Sequence, residues 1–211
     1  MIANGVSPRI GVLGGTFDPV HNGHLHIARE LRDALALERV IWIPAGRPPH
    51  KAGQIVSSDR DRLTMLKLAL AGSPLDEIST IDIERSGPSY TADTLELLGQ
   101  QVSPTTLVFL MGEDSLRDLP TWHDPERILR AAELAVAGRP GIDANLDDLT
   151  RAIPALTGRV HLALIDEVPV SSSEIRQRVR ENRSIEGFVP AAVESYIRER
   201  GLYTSRSDPG S

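Results

Sequence analysis

Gly14-Gly15-Thr16-Phe17-Asp18-Pro19-Val20-His21-Asn22-Gly23-His24-Leu25 decides how the rest of this chain reads. The apolar, β-prone run Ile10 to Leu13 precedes it. Leu25, Ala28, Leu31 and Leu35 follow at spacings that share one helix face. The stretch is therefore strand, glycine turn, short loop, helix start. At such a junction turn amides are free and the helix N-terminus carries partial positive charge, so it favours anions. Gly14 and Gly15 let an anion approach the amides without a Cβ in the way. Thr16 adds a hydroxyl, and His21 and His24, three apart, can face one anion from the first helical turn.

Each feature taken singly has a plainer account. A Gly-Gly pair after a strand can be only a turn, and a lone His is usually solvated or satisfied. Two His at this spacing could be metal ligands, yet there is no HExxH pattern and no cysteine. GxGxxG is missing, which argues against a dinucleotide fingerprint, and no Gly-Lys-Ser/Thr follows, which excludes a P-loop. The 211 residues suffice for one sizeable core, and 40% hydrophobic with 25% charged residues is ordinary for a soluble globular protein. A net charge of −6 argues against a broad grip on nucleic acid. The absence of cysteine agrees with a cytoplasmic setting. Met1 to Pro8 lacks an apolar leader core, and no run is long enough to span a bilayer, so no membrane partner is expected.

Arg9 to Leu13 reads as the first strand and about Gly23 to Ala36 as the first helix. Val40 to Pro44, continuously apolar, reads as a buried parallel strand with Trp42 in the core. Ala45 to Gly53 is a Pro/Gly-rich loop with cationic side chains, either a plain surface loop or a flap whose His50 and Lys51 reach phosphates. Ser57 or Ser58 caps the next helix, with Asp59 and Asp61 in its first turn. The alternation in Ile78 to Ile83 predicts an edge strand, and Ser89-Tyr90-Thr91 opens another helix. Leu107 to Met111 is the most apolar strand. It ends in Gly112-Glu113-Asp114, which puts a carboxylate where α/β sheets bind ligands. Trp122, in a polar loop, can stack on an aromatic ring.

Arg127 to Ala132 reads as a short helix and Leu134 to Ala137 as a strand. Arg139 follows that strand's C-terminal end, a natural place for a phosphate contact. Asn145 to Ile153 is a surface helix, and Val160 to Ile165 is the sixth strand. Ser171-Ser172-Ser173 then caps a helix reaching about Arg183. Its hydroxyls, free amides and Arg176 also suit a polyphosphate. Pro190 to Arg200 is the last helix, and Ser205 to Ser211 a disordered tail. Six strands alternating with helices predict an α/β fold, a doubly wound parallel sheet of order 3-2-1-4-5-6 with helices on both faces. Residues 1–204 form one domain. The candidate residues all fall after C-terminal strand ends.

Gly14 to His24 resembles the HxGH signature of the nucleotidyltransferase superfamily, with flanks typical of nicotinate-nucleotide adenylyltransferases. From about Ile10 to Tyr203 the chain resembles the bacterial members of that family, through GGTFDPVHNGHL, PPHK, SYTADTL, GEDS with Trp122 downstream, Arg139-Pro140-Gly141 and SSSEIR. Val170 and Ser173 stand where the last motif usually has Ile and Thr; Ser173 keeps the hydroxyl. His123 stands where Tyr is frequent. The resemblance implies transfer of the adenylyl group of ATP to nicotinate mononucleotide, giving nicotinate adenine dinucleotide and pyrophosphate, with Mg²⁺ carried on ATP and no metal ligands of the protein's own. His21, His24, Lys51 and Arg176 are then the catalytic candidates. Gly14, Gly15, Thr16, Phe17, His21, Gly23, His24, Gly112, Asp114, Ser172, Ser173 and Arg176 are the candidates for binding ATP. Asp18, His50, Lys51, Thr91, Trp122, His123 and Arg139 are those for the mononucleotide. Rival readings are a pantetheine-phosphate adenylyltransferase, a cytidylyltransferase, or a nucleotide sensor that has lost turnover. Oligomeric state is left open, a homo-oligomer included.

Overall fold

The computed structural model describes residues 8–47, 57–138 and 146–204. Six parallel strands form one sheet in the order β3-β2-β1-β4-β5-β6, as the strand–helix alternation predicts. They are β1 (Arg9–Gly15), β2 (Val40–Pro44), β3 (Asp76–Ile78), β4 (Thr106–Gly112), β5 (Glu133–Gly138) and β6 (Val160–Leu164). The helices are α1 (Asn22–Ala34), α2 (Asp59–Leu70), α3 (Ile81–Glu84), α4 (Thr91–Val102), α5 (Glu113–Asp118), α6 (Pro125–Ala131), α7 (Leu146–Ala152), α8 (Ser172–Arg180) and α9 (Ala191–Arg200).

Both faces of the sheet are covered because successive strand residues point to opposite sides. Val40, Trp42, Val108, Leu110 and Ala135 pack with Leu31 of α1, Met65 and Leu66 of α2, and Ile175, Val193 and Ile197 of α8 and α9. Their neighbours Ile41, Ile43, Leu107, Phe109, Leu134 and Val136 pack the other way, against Leu95 and Leu98 of α4, Leu116 of α5, and Ile128 and Leu129 of α6. Trp42 lies in the core, with its indole N–H donating to Asp76 Oδ1 at 2.7 Å.

One expected element is wrong. The edge strand is Asp76–Ile78, not Ile78 to Ile83, and Ile81–Glu84 is helical. Ile78 is its last paired residue, opposite Trp42. After it, the N–H groups of Ile83 and Glu84 donate to the Thr80 carbonyl at 2.9 and 3.0 Å, and Thr80 Oγ1 donates to Glu84 Oε1. These local bonds outweigh a short alternation of isoleucines. Ser58 rather than Ser57 caps α2, accepting from the Asp61 N–H at 3.1 Å. The helix ending at Arg180 is one turn shorter than the sequence suggests. The tail from Ser205 lies outside the described residues.

Candidate active site

β1 and β4 are neighbours, and the chain leaves them toward opposite faces, so a crevice opens beyond their C-terminal ends. It has two lobes, of about 340 Å³ and about 510 Å³. Gly14, Gly15, Thr16, Phe109, Ser115 and Trp122 line both. The glycine turn is thus the common wall, as its sequence suggests. A Cβ at Gly15 would stand 2.8 Å from the Phe17 ring, so the turn closes only on glycine there. Gly23 is bound in the same way, with Val170 and His21 Nδ1 at 3.0 and 3.1 Å from its would-be Cβ.

The larger lobe holds His21, Gly23, His24, Gly112, Asp114, Ser172, Ser173 and Arg176. His21 is the N-cap of α1, and its main-chain N–H donates to His24 Nδ1 at 3.2 Å. The two rings stack with centroids 3.6 Å apart. That amide occupies the Nδ1 lone pair, so a neutral His24 carries its proton on Nε2 and offers a donor. Burial lowers the His21 pKa to about 4, which keeps this ring neutral as well. Two neutral rings can stack this closely, whereas two cations would repel.

The triple serine caps α8 through Ser171, whose hydroxyl accepts from the Glu174 N–H at 3.1 Å. Ser172 Oγ donates to the Pro19 carbonyl at 2.9 Å and Arg176 Nη1 to the Asp18 carbonyl at 2.7 Å. Arg176 Nη2 also donates to Ser173 Oγ at 3.2 Å. These side chains dock α8 onto the loop between β1 and α1. Asp114 is exposed, with Arg117 Nη1 at 3.0 Å.

The smaller lobe gathers Thr91, Trp122 and His123. Trp122 is half-buried and meets Phe109 edge-on, with centroids 6.1 Å apart. His123 stacks on Tyr90 at 4.0 Å. Behind them Asp82 is buried, accepting from Arg85 Nε at 3.0 Å and from Thr94 Oγ1 at 2.6 Å. Ser89 Oγ accepts from the Gly46 and Arg47 N–H groups at 3.1 and 2.9 Å, which fastens the chain leaving β2 to the start of α4.

Two expected contacts do not sit on the cavity walls. Phe17 is fully buried, edge-on to His24 at 5.2 Å, and lines neither lobe. Asp18 is 1% exposed, and its carboxylate accepts from the Tyr203 hydroxyl at 2.7 Å and the Ser57 N–H at 3.4 Å. Both side chains build the loop from behind. His50, Lys51 and Arg139 lie outside the described residues.

Sequence reasoning missed other participants. Ser115 lines both lobes one residue after Asp114, a position that only the turn of α5 reveals. Arg62, fully buried, donates from Nη1 to the Thr16 carbonyl at 2.7 Å and from Nη2 to Asp59. In sequence it is one more charge in the first turns of an amphipathic helix. Tyr203 comes from the far end of the chain.

Comparison with known proteins agrees with this geometry. Residues 12–178 match the cytidylyltransferase-like family. A Thermomicrobium roseum protein named probable nicotinate-nucleotide adenylyltransferase is 50% identical over 195 residues, covering 92% of this chain and 91% of its own. A Roseiflexus protein of the same name is 46% identical, covering 93% of this chain and 98% of its own. The Plasmodium falciparum nicotinic acid mononucleotide adenylyltransferase complexed with NaAD superposes with a TM-score of 0.75 at 18% identity, covering 93% of this chain and 97% of that one, a likeness of fold. On these matches the chain belongs to the cytidylyltransferase-like family and, within it, to the nicotinate-nucleotide adenylyltransferases.

Proposed function

We propose that this protein transfers the adenylyl group of ATP to nicotinate mononucleotide, releasing pyrophosphate and forming nicotinate adenine dinucleotide for NAD biosynthesis in the cytoplasm. Residues 1–204 act as one nucleotidyltransferase domain. The observation that carries the reading is the pair of lobes meeting at Gly14 to Thr16, with His21 and His24 on the wall of the larger one. ATP fills that lobe, its adenosine near Gly112 and Asp114 and its triphosphate toward the α1 and α8 N-termini. The mononucleotide fills the smaller lobe, with its ring against Trp122.

The mononucleotide phosphate is already an anion at neutral pH and needs no general base. Its oxygen forms a bond to the α-phosphorus as the bond from that phosphorus to the bridging oxygen breaks, and pyrophosphate leaves. The protein's task is to hold two polyanions together and meet charge as it moves. His24 donates from Nε2 toward the α-phosphate, a role the amide bond at Nδ1 supports. The Gly14 and Gly15 amides and Thr16 position phosphates. Ser172, Ser173 and Arg176 take the outer phosphates, and Lys51 neutralises departing pyrophosphate. His50 and Arg139 add phosphate contacts, and Thr91 lies beside the nicotinate ring.

Mg²⁺ accompanying ATP would lower the charge of the triphosphate. Among the described residues no group of three or more His, Asp or Glu could hold a metal, and Asp18 is engaged with Tyr203. Among the described residues no helix is long and apolar enough to cross a membrane.

The test is pyrophosphate release with ATP and Mg²⁺, comparing nicotinate mononucleotide with its amide. Release with the acid supports the reading. Release with neither refutes it.

A further inference from the structure

Arg62, on α2, is fully buried, and no other charged side chain among the described residues lies deeper. Its Nη1 donates to the Thr16 carbonyl at 2.7 Å and its Nη2 to Asp59, while its buried Nε has no hydrogen-bond partner among the described residues. The Asp59 side chain is 54% exposed, so its charge is largely answered by water. A guanidinium held in this way costs desolvation free energy that an apolar chain of similar length would not. Stability is therefore a weak reason for an arginine here.

What Arg62 holds is the turn that both lobes share. The Gly15 carbonyl accepts from the Ala45 N–H at 2.8 Å, and the Thr16 carbonyl from Arg62. In a trans peptide the N–H points opposite to the carbonyl, so the Phe17 N–H points away from Arg62. Among the described residues nothing accepts from it. Phe17 has a left-handed φ of 49°, which a bulky residue adopts only where its surroundings impose it. Arg62 on the Thr16 carbonyl and Arg176 on the Asp18 carbonyl, each at 2.7 Å, impose it from either side.

We propose that Arg62 is a positioning residue for the transfer: it fixes the Thr16–Phe17 peptide so that the Phe17 N–H meets a phosphate where the two lobes join, and it sets a positive charge behind that phosphate. Which phosphate is met rests on nicotinate mononucleotide being the acceptor. The acceptor's phosphate must reach the α-phosphorus of ATP, and the wall common to both lobes runs through Gly14, Gly15 and Thr16. Arg62 lines neither lobe and acts through one peptide behind that wall. A hydrogen bond from a cation polarises the carbonyl and makes the N–H of the same peptide a better donor. In a dry interior the guanidinium's field is also screened little. Both effects favour a phosphate over an uncharged group at the same place. They bear on the phosphate of a nucleotide and not on its base or sugar.

The experiment measures dissociation constants of nicotinate mononucleotide and its unphosphorylated riboside, and of ATP and adenosine, with pyrophosphate release followed in parallel. It uses the wild-type chain, Arg62→Met, which fills the volume without the charge, and Arg62→Lys, which keeps the cation. Dividing the constant of each nucleoside by that of its nucleotide isolates the phosphate. In Arg62→Met this ratio for the mononucleotide is expected to fall about tenfold, the size of a lost hydrogen bond to a charged group. Arg62→Lys is expected to retain most of it. An arginine that only supports the loop predicts equal weakening of nucleoside and nucleotide, so an unchanged ratio in Arg62→Met overturns the proposal. Should Arg62→Met fail to fold, Asp59→Asn decides. Loss of the opposing carboxylate is expected to raise the ratio roughly threefold, and an unchanged or lower ratio overturns the proposal. If the wild type releases no pyrophosphate with nicotinate mononucleotide, the acceptor reading fails by itself. The ATP and adenosine pair then tests Arg62 alone, with a similar fall expected in Arg62→Met and an unchanged ratio overturning its role.

Discussion

Replacing Tyr203 by phenylalanine removes one oxygen and leaves the ring in place. That oxygen donates to Asp18 Oδ1 at 2.7 Å, across 185 residues of sequence, between two buried side chains. Burial and the neighbouring carboxylate push the Tyr203 pKa up, so the phenol remains the donor at any working pH. A hydrogen bond to a charged partner contributes about 1.5–3 kcal/mol. The Ser57 N–H, at 3.4 Å from the other carboxylate oxygen, survives the change. About 2 kcal/mol is therefore the expected loss, equivalent to a Tm lower by roughly 4–8 °C in a chain of this size. Urea unfolding at pH 7.5, with m compared between the two proteins, measures it. A loss below about 0.5 kcal/mol at unchanged m is the range of an ordinary surface substitution. It would refute the idea that the C-terminal turn clamps the loop between β1 and α1 through Asp18.

The remaining predictions concern the cavity. His24→Ala is expected to lower kcat at least ~10²-fold with a smaller change in KM, since its contact is strongest in the transition state; near-normal turnover in steady-state assays would exclude that role. Trp122→Ala is expected to raise KM for the mononucleotide more than for ATP. Trp122 lines both lobes, so some rise for ATP is allowed, but equal rises would count against ring stacking. His21 makes the fold sensitive to acid. Its pKa is about 4 in the folded chain against 6.5 ordinarily, so between these values the unfolded chain binds a proton that the folded chain refuses. This stability is complete above pH 6.5 and is lost as pH falls toward 4, the full loss being roughly 3 kcal/mol. Unfolding measured at pH 7.5 and pH 4.5 is expected to show that loss in the wild type and much less of it in His21→Gln.

Much of this protein is local and therefore legible in sequence. Glycines at a strand end, a serine before a helix and alternating apolar residues act over a few residues, and they predicted the sheet order and the strand ends that carry the candidates. The structure brings Gly14, Thr16, His21, His24, Gly112, Ser172 and Arg176 to one lobe, and Thr91, Trp122 and His123 to the other, as those positions require. Ile78 to Ile83 misled because local bonds to Thr80 competed with periodicity over too short a run. The side chains of Phe17 and Asp18 lie behind the cavity wall for another reason. A motif states that a residue matters without stating which way its side chain points. Here the loop turns both inward, and Phe17 takes a left-handed φ of 49°. The supports of that loop, Arg62 on the Thr16 carbonyl and Tyr203 on the Asp18 carboxylate, are separated from it by 46 and 185 residues. Only tertiary packing could bring them there, because a buried carbonyl or carboxylate must find a donor wherever the fold supplies one. Composition and periodicity carry no record of that pairing.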